Sequence, residues 1–519
     1  MRRAVLTVAC ALATMAGAFR FTAAPGPGLD PDAMSYLGAA QSLVTNGTLR
    51  VPLAPWTDDR PSLPLAHFPP GYSAAIAVPI LFGADATNAA RIVQATAAAA
   101  TVALLIFTLW PLAGGGGAVL GAVVLVLTPA FVFVQLQVLS EPLFLAIITL
   151  MLWSLVRRPR AALTHGLIAA AATMVRYAGP SMAGAAALWA LRDRRAPWRD
   201  RLWRAALALA PSLLAMAVWS LTRERAPGGT GQIRTVAMYG HWAPTLQQGA
   251  ETAARLLAPT LEWEPAPWLA AAGVLAAFVA LTWSTVRLEG EVRPEPAHDD
   301  PRWADQRVLL QAAGCVIAGY VALLVASRAF ADPNIPFDFR LLLPLLPPLI
   351  AAITVVAARA WRVISTPARI LGVLACAGWM VLAVRADQVL LSDALEDGGD
   401  FASRTWRESP TLGWVRAQDP ARAIYTNWPC AVWFHLGRTV HDLPAATDST
   451  TVRRFLARLD ATGGTVVAWK AQSADTAPTD ALVAAAGLVR IKEFSDGAVY
   501  AKAPPDVAPP TVAPPAVRR

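Results

Sequence analysis

Asp30 and Asp32 flank a proline, and the residues after them return apolar side chains at helical spacing to about Val44. Aspartates at such a place are common helix caps and first-turn acids. The same placement suits a general base, or a carboxylate that holds a cation. His67 stands in His67-Phe68-Pro69-Pro70-Gly71-Tyr72. It reads either as an ordinary loop histidine or as a contact to a phosphate or acceptor, since imidazole can carry positive charge. Glu141, in Leu139-Ser140-Glu141-Pro142, opens a long apolar run. An acid there either reaches water from a helix start or serves a buried site. Arg176 and Tyr177 separate two short apolar runs. Their alternatives are a headgroup contact, a salt bridge with Glu141, or a hold on a lipid-linked phosphodiester. Arg328, Asp332, Asp338 and Arg340 gather around one short loop. Arg340 is the natural phosphate ligand among them, because its planar fork matches paired oxygens and never deprotonates. Asp338 beside it suggests an ion pair as the structural alternative.

The elements that must position these residues are apolar. Hydrophobic residues make up 55% of the 519-residue chain and charged ones only 15%, against about 25% in soluble domains. The apolar residues come in blocks of roughly membrane-crossing length. Spans are predicted at 4–21, 88–109, 116–134, 142–156, 162–177, 180–191, 203–221, 267–284, 306–327, 340–358 and 366–387. The short apolar stretch 72–83 is read as an interfacial or re-entrant helix. With the N-terminus inside, Arg157, Arg158 and Arg160, then Arg192, Arg194 and Arg195, the loop 285–305, and Arg359 with Arg362 all fall on the inner side. Counting 72–83 as a full span would turn Arg157 to Arg160 outward. The net charge of +9 thus reports topology, and no nucleic-acid partner is expected. Met1-Arg2-Arg3 and the following apolar run resemble a signal peptide; an uncleaved first span is the preferred reading because more spans follow.

The outer stretches are then 22–87, 222–266, 328–339 and everything after 387. Within the last, strands are expected near 422–428, 465–470, 488–491 and 497–501, with a helix at 451–459. The Pro-rich end carries no pattern and is expected to be disordered. Cys10, Cys315, Cys376 and Cys430 form neither a metal spacing nor a disulfide framework. The run Gly114 to Gly117 lacks the lysine and setting of a phosphate loop and reads as an inner turn. Tryptophans and tyrosines crowd the outer stretches and interfaces, as an aromatic belt does.

Asp32 with Tyr36 four residues on, the helix ending at Asn46-Gly47, then His67 to Tyr72, Gly83 and Arg91, resemble the GT-C glycosyltransferases. More closely, they are similar to family 39 protein mannosyltransferases and aminoarabinose transferases. The segment Phe337-Asp338-Phe339-Arg340 to Pro344 resembles an Arg-x-Leu-x-Pro-like segment of the same enzymes. The resemblance covers the membrane half, to about residue 360, and says little of the tail. It implies transfer of a sugar from a polyprenyl-phosphate donor to an acceptor at the outer face, with inversion at C1. Asp32 is then the catalytic base. Arg340, Arg176, His67, Glu141, Tyr36, Tyr177 and Asp338 are the expected contacts to donor phosphate and substrate. In the aminoarabinose transferases a lysine commonly precedes the proline pair; here Phe68 stands there, so the charge must come from His67, Arg176 or Arg340. No cofactor is demanded, and a divalent cation is left open.

The expectation is therefore an α-helical polytopic membrane protein of GT-C type with a small α/β extracytoplasmic C-terminal domain. Residues 1–387 would form the membrane domain with about eleven spans, 388–507 the soluble domain and 508–519 a disordered tail. Expected partners are a polyprenyl-phosphate-linked sugar, membrane lipid, and a glycan, lipid or protein acceptor. The expected location is the bacterial cytoplasmic membrane. Two other classes compete: a transporter or flippase for a lipid-linked sugar, which would favour repeated halves, and a non-catalytic envelope assembly protein.

Overall fold

The computed structural model describes residues 1–23, 25–57, 59–223, 238–240, 242–257, 301–332, 334–470 and 477–502. Helix α1 (Arg2–Phe21) leads to α2 (Pro31–Asn46), whose N-cap is Asp30 and whose end is the left-handed Gly47. Two short strands follow, β1 (Arg50–Val51) and β2 (Leu63–Pro64), paired antiparallel. The apolar helix α3 (Gly71–Leu81) is only 11 residues long, too short to cross a bilayer. Gly71 lets it close on the seventh helix: a Cβ there would lie 2.5 Å from the Met174 carbonyl oxygen.

Helix α4 (Ala86–Val126) is a hairpin of two arms, broken at Gly114 with φ 76 and ψ 170. The arms pack against each other, since a Cβ on Gly121 would meet Leu109 Cδ1 at 3.1 Å. The expected span 116–134 is interrupted. Thr128 is extended before Pro129, which starts α5 (Pro129–Leu136), as steric conflict with a proline ring requires. Helices α6 (Glu141–Arg157), α7 (Ala162–Val175), α8 (Pro180–Arg192), α9 (Trp198–Thr222) and α10 (Trp242–Leu257) follow. Then come α11 (Pro301–Phe330), the single turn α12 (Phe339–Leu342), a tight turn at Leu343–Leu345, α13 (Leu346–Val363) and α14 (Thr366–Glu396).

Six described helices are long and apolar enough to cross a membrane: α1, α4, α9, α11 from Asp305, the run Phe339–Val363, and α14. The chain is a multi-pass membrane protein. Helices α7 and α8 have 14 and 13 residues, shorter than a full crossing, and α6 with 17 stands at its lower limit. The expected span 267–284 lies outside the described residues, as do the loop 285–300 and the segment 508–519. Helix α14 continues past the expected end at 387, because no glycine or proline intervenes before Gly398, which adopts φ 83.

Beyond α14, α15 (Arg404–Arg407) and α16 (Pro410–Arg416) precede β3 (Ile424–Thr426), α17 (Pro429–Leu436), α18 (Ser449–Thr462), β4 (Thr465–Trp469), α19 (Ala477–Ala485), β5 (Leu488–Glu493) and β6 (Gly497–Lys502). The sheet runs β3-β4-β6-β5, with β3 and β4 parallel and the other pairs antiparallel. One face packs Tyr425, Phe455, Leu459 and Leu482. The other packs Val467, Trp469 and Val499 into a core continuous with the membrane helices.

Two seams join this tail to the stretch between α1 and α3 and the start of α2. Gly28 and Leu29 lie between two strands of chain. Gly28 N–H donates to Leu136 O (2.7 Å) and its carbonyl accepts from Val138 N (2.9 Å); Leu29 N–H donates to Gly399 O (3.3 Å) and its carbonyl accepts from Phe401 N (3.1 Å). The second seam is Asp442, whose N–H donates to Ala54 O (3.0 Å) and whose Oδ1 accepts from Trp56 N (2.7 Å).

Candidate active site

The first seam delivers Asp30. Its Oδ1 caps α2 by accepting from Ala33 N (2.7 Å), which fixes the first turn and with it Asp32. From across the molecule, the turn α12 brings Arg340 to the same place. Asp338 caps that turn, its Oδ1 accepting from Leu341 N (2.9 Å). Glu141 arrives at the first turn of α6, and Arg176 at the end of α7.

These side chains form one charged array. Arg340 Nε donates to Glu141 Oε1 at 2.8 Å. Its Nη2 lies 3.4 Å from Asp32 Oδ2 and its Nη1 3.7 Å from Asp30 Oδ2. Arg176 Nη1 lies 2.7 Å from Glu141 Oε2 and donates to Ser140 Oγ at 3.0 Å. Tyr36 OH is 3.4 Å from the same Ser140 Oγ. Glu141 is 1% exposed, whereas the Asp32 side chain is 36% exposed. Glu141 is thus a buried counter-ion shared by two guanidiniums, the arrangement that makes a buried charge tolerable. Asp32 is the acid that faces open space.

Asp30 is largely buried beside Asp32. Burial, then the adjacent Asp32 carboxylate, push its pKa up to about 7, against the Ala33 amide and Arg340. Burial also raises the Tyr36 phenol, so Tyr36 stays neutral and able to donate. Its ring is fixed by Phe68 at 4.7 Å and by Tyr72, edge-on at 4.9 Å. Phe68, in the place where a cation was sought, is therefore a packing residue for Tyr36.

The array gathers Asp32, Tyr36, Glu141, Arg176 and Arg340 from the expected residues. Three others stand apart. His67 is exposed and packs edge-on against Phe68. Tyr177 OH accepts from Trp219 Nε1 at 3.1 Å and braces α9. Asp338 does not pair with Arg340; among the described residues the carboxylate partners of Arg340 are Asp30, Asp32 and Glu141. Two members had no signal in the sequence. Ser140 joins Tyr36 to Arg176, and Asp400, from the tail seam, lies close enough to feel Arg340, with burial raising its carboxyl. Asp400 has φ 50, a left-handed conformation that aspartate tolerates better than most residues. Among the described residues no three His, Cys, Asp or Glu side chains come together as metal ligands. The acids here are engaged by arginine.

No protein-family profile matches the chain, and no curated protein matches it in sequence. Solved structures do. The arabinofuranosyltransferase AftD from Mycobacteria superposes with a TM-score of 0.50 at 17% identity, over 97% of this chain and 40% of that one. The fold is that of the GT-C glycosyltransferases. This chain spans about 40% of the AftD length. ArnT from Cupriavidus metallidurans bound to undecaprenyl phosphate aligns at TM-score 0.43 and 12% identity, over 96% of this chain and 98% of that one. The Archaeoglobus fulgidus oligosaccharyltransferase, in complex with Zn and sulfate, aligns at 0.44 and 10%, over 89% and 68%. As in the sequence-based expectation, a helical membrane body carries a small C-terminal sheet domain.

Proposed function

We propose that the chain transfers a sugar from a polyprenyl-phosphate donor to an acceptor hydroxyl at the outer face of the cytoplasmic membrane. The observation that carries this is the unequal grip on Arg340. Its Nε is bound tightly to buried Glu141 at 2.8 Å, while its two Nη groups meet Asp32 and Asp30 only at 3.4 and 3.7 Å. A donor phosphate can displace these loose contacts without unseating the guanidinium. Arg340, backed by Arg176 through Glu141, then stands where charge develops as the phosphate leaves. The ArnT structure with undecaprenyl phosphate supports a lipid phosphate of this class.

The same exchange releases Asp32. The acceptor O–H gives its proton to Asp32, and its oxygen attacks the sugar C1. The C1–O bond to phosphate breaks, and its electron pair leaves with the polyprenyl phosphate. Attack opposite the leaving group inverts C1. Proton removal by a positioned carboxylate contributes about 10²–10⁴-fold to such a step. His67, Tyr177 and Asp338 take no part in this scheme; they hold loop, helix and turn.

The test uses purified protein in lipid nanodiscs with radiolabelled polyprenyl-phosphate sugars, reading released polyprenyl phosphate. Asp32→Asn should cost about 10²–10⁴-fold in turnover while donor affinity holds. An unaffected Asp32→Asn variant would remove Asp32 as the base, and no release from a panel of donors would overturn the reaction.

A further inference from the structure

A cleft of about 490 Å³ opens between the first outer loop and the tail, within the size range of ligand pockets. Its floor includes Pro31, the residue between Asp30 and Asp32. Its wall on the tail side is Trp428 with Cys430 at the start of α17, which packs on α2. Burial pushes the Cys430 thiol up to about 12, and Asp30 adds to the rise, which sets this wall beside the acids. The cleft thus abuts Pro31, the residue just before the candidate base Asp32.

Its charge is the informative property. Among the described residues that line it, the single ionisable group besides the Cys430 thiol is Asp442. Among the described residues no lysine or arginine lines it. The cations of the site, Arg340 and Arg176, are not among its lining residues. A phosphate group entering from the tail side would meet the Asp442 carboxylate with no cation among the described lining residues to offset it. A neutral sugar meets what it can use. Asp442 Oδ1 accepts from Trp56 N, and its Oδ2 can accept from hydroxyls. Leu53 and Leu443 offer apolar surface to C–H faces. Trp428 is held edge-on by Phe401 at 5.7 Å and Trp406 at 6.1 Å, a rigid amphipathic wall.

We infer that this cleft is the acceptor subsite and takes the terminal sugar of a neutral glycan, not a phosphorylated acceptor. The inference rests on the proposed transfer reaction for its meaning, but the binding can be tested without it. Methyl glycosides of several neutral pentoses and hexoses, and their phosphorylated counterparts, serve as probes. The full chain in nanodiscs is examined by saturation-transfer NMR and tryptophan fluorescence. Ala445, exposed at the rim, is changed to Trp to fill the cleft. Asp442→Asn keeps an acceptor for Trp56 N and removes the charge.

At least one neutral glycoside should bind, and Ala445→Trp should abolish that binding. Asp442→Asn should weaken it about tenfold, the loss of one charge-assisted hydrogen bond. Polyprenyl phosphate binding should be unchanged in both variants, which also reports that they fold. Tighter binding of phosphorylated probes, no binding of any neutral probe, or neutral binding untouched by Ala445→Trp would overturn the inference. Neutral binding with no donor turnover would sink the transfer reaction and leave the cleft reading standing. Turnover onto phosphorylated acceptors would do the reverse.

Discussion

Glu141 is the residue on which the charged array depends. Two guanidiniums lean on one carboxylate that is 1% exposed. Removing one partner of a buried ion pair leaves the other charge uncompensated and costs about 3–5 kcal/mol. Glu141→Gln should therefore lower the thermal midpoint sharply and weaken donor binding together, as Arg340 loses its anchor. Differential scanning fluorimetry with and without polyprenyl phosphate checks both. Asp30 makes the opposite prediction. Its carboxyl is raised from 3.8 to about 7 in the fold, so the folded state holds a proton that the unfolded chain gives up. The stability this provides is complete below about pH 4 and is lost as pH rises through about 7. Asparagine caps a helix as well as aspartate does and does not titrate. Asp30→Asn should match the parent near pH 4 and melt higher near pH 8. A lower midpoint at both pH values would show that the buried carboxylate is not the source.

Which residues could be read from sequence follows from this physics. A charge next to an apolar run is conspicuous because burying it is costly, so Asp32, Glu141, Arg176 and Arg340 were legible. Ser140 and Asp400 were not, since a serine and a surface aspartate are unremarkable until distant chain segments meet. Asp30 was visible only as a cap, and its second use appears once Arg340 and Asp400 are beside it. His67 and Tyr177 carried suitable groups, but local packing on Phe68 and Trp219 turned them to other work.

At the scale of elements, position is set by close approaches that only glycine permits. Arg176 ends α7, and the chain turns back into α8 through Gly179. A Cβ on Gly179 would lie 2.1 Å from Thr173 N and 2.3 Å from Ala172 C. Backbone cannot give way as a flexible side chain can, so Gly179→Ala should cost about 3 kcal/mol or more and displace Arg176 from Glu141. Gly184, inside α8, has nothing within 4 Å of its Cβ position. Gly184→Ala should be neutral or stabilising by up to about 1 kcal/mol. The pair, compared by thermal midpoint and by polyprenyl phosphate affinity, separates crowding from a general effect of adding a methyl group. Periodicity could not supply this level. It placed α6, α7 and α8 where they are, but the break of the expected span 116–134 at Thr128-Pro129 depends on one dihedral preference, and the run of α14 to Glu396 on the lack of any breaker before Gly398.

At the scale of the molecule, the question is which side of the membrane holds the site. The ends of α6 and α8 carry Arg157 and Arg192, followed by Arg158, Arg160, Arg194 and Arg195, and α13 ends past Arg359 and Arg362. The acids and Arg340 lie at the opposite ends: Glu141 starts α6, and Arg340 sits at the N-terminal side of α13. Lysine and arginine in short loops stay on the cytoplasmic side, so the array and the tail are expected outside. The tail cannot be placed independently of the array, because the seam through Gly28 and Leu29 ties Gly399 and Phe401 to the residue before Asp30. In a variant lacking the four native cysteines, a cysteine at Ser449 in the tail should react with a membrane-impermeant maleimide in intact cells. A cysteine at Arg195 should react only after the membrane is opened. The reverse pattern would put the donor phosphate and Asp32 in the cytoplasm and remove the outer-face reaction altogether, whatever the purified protein turns over.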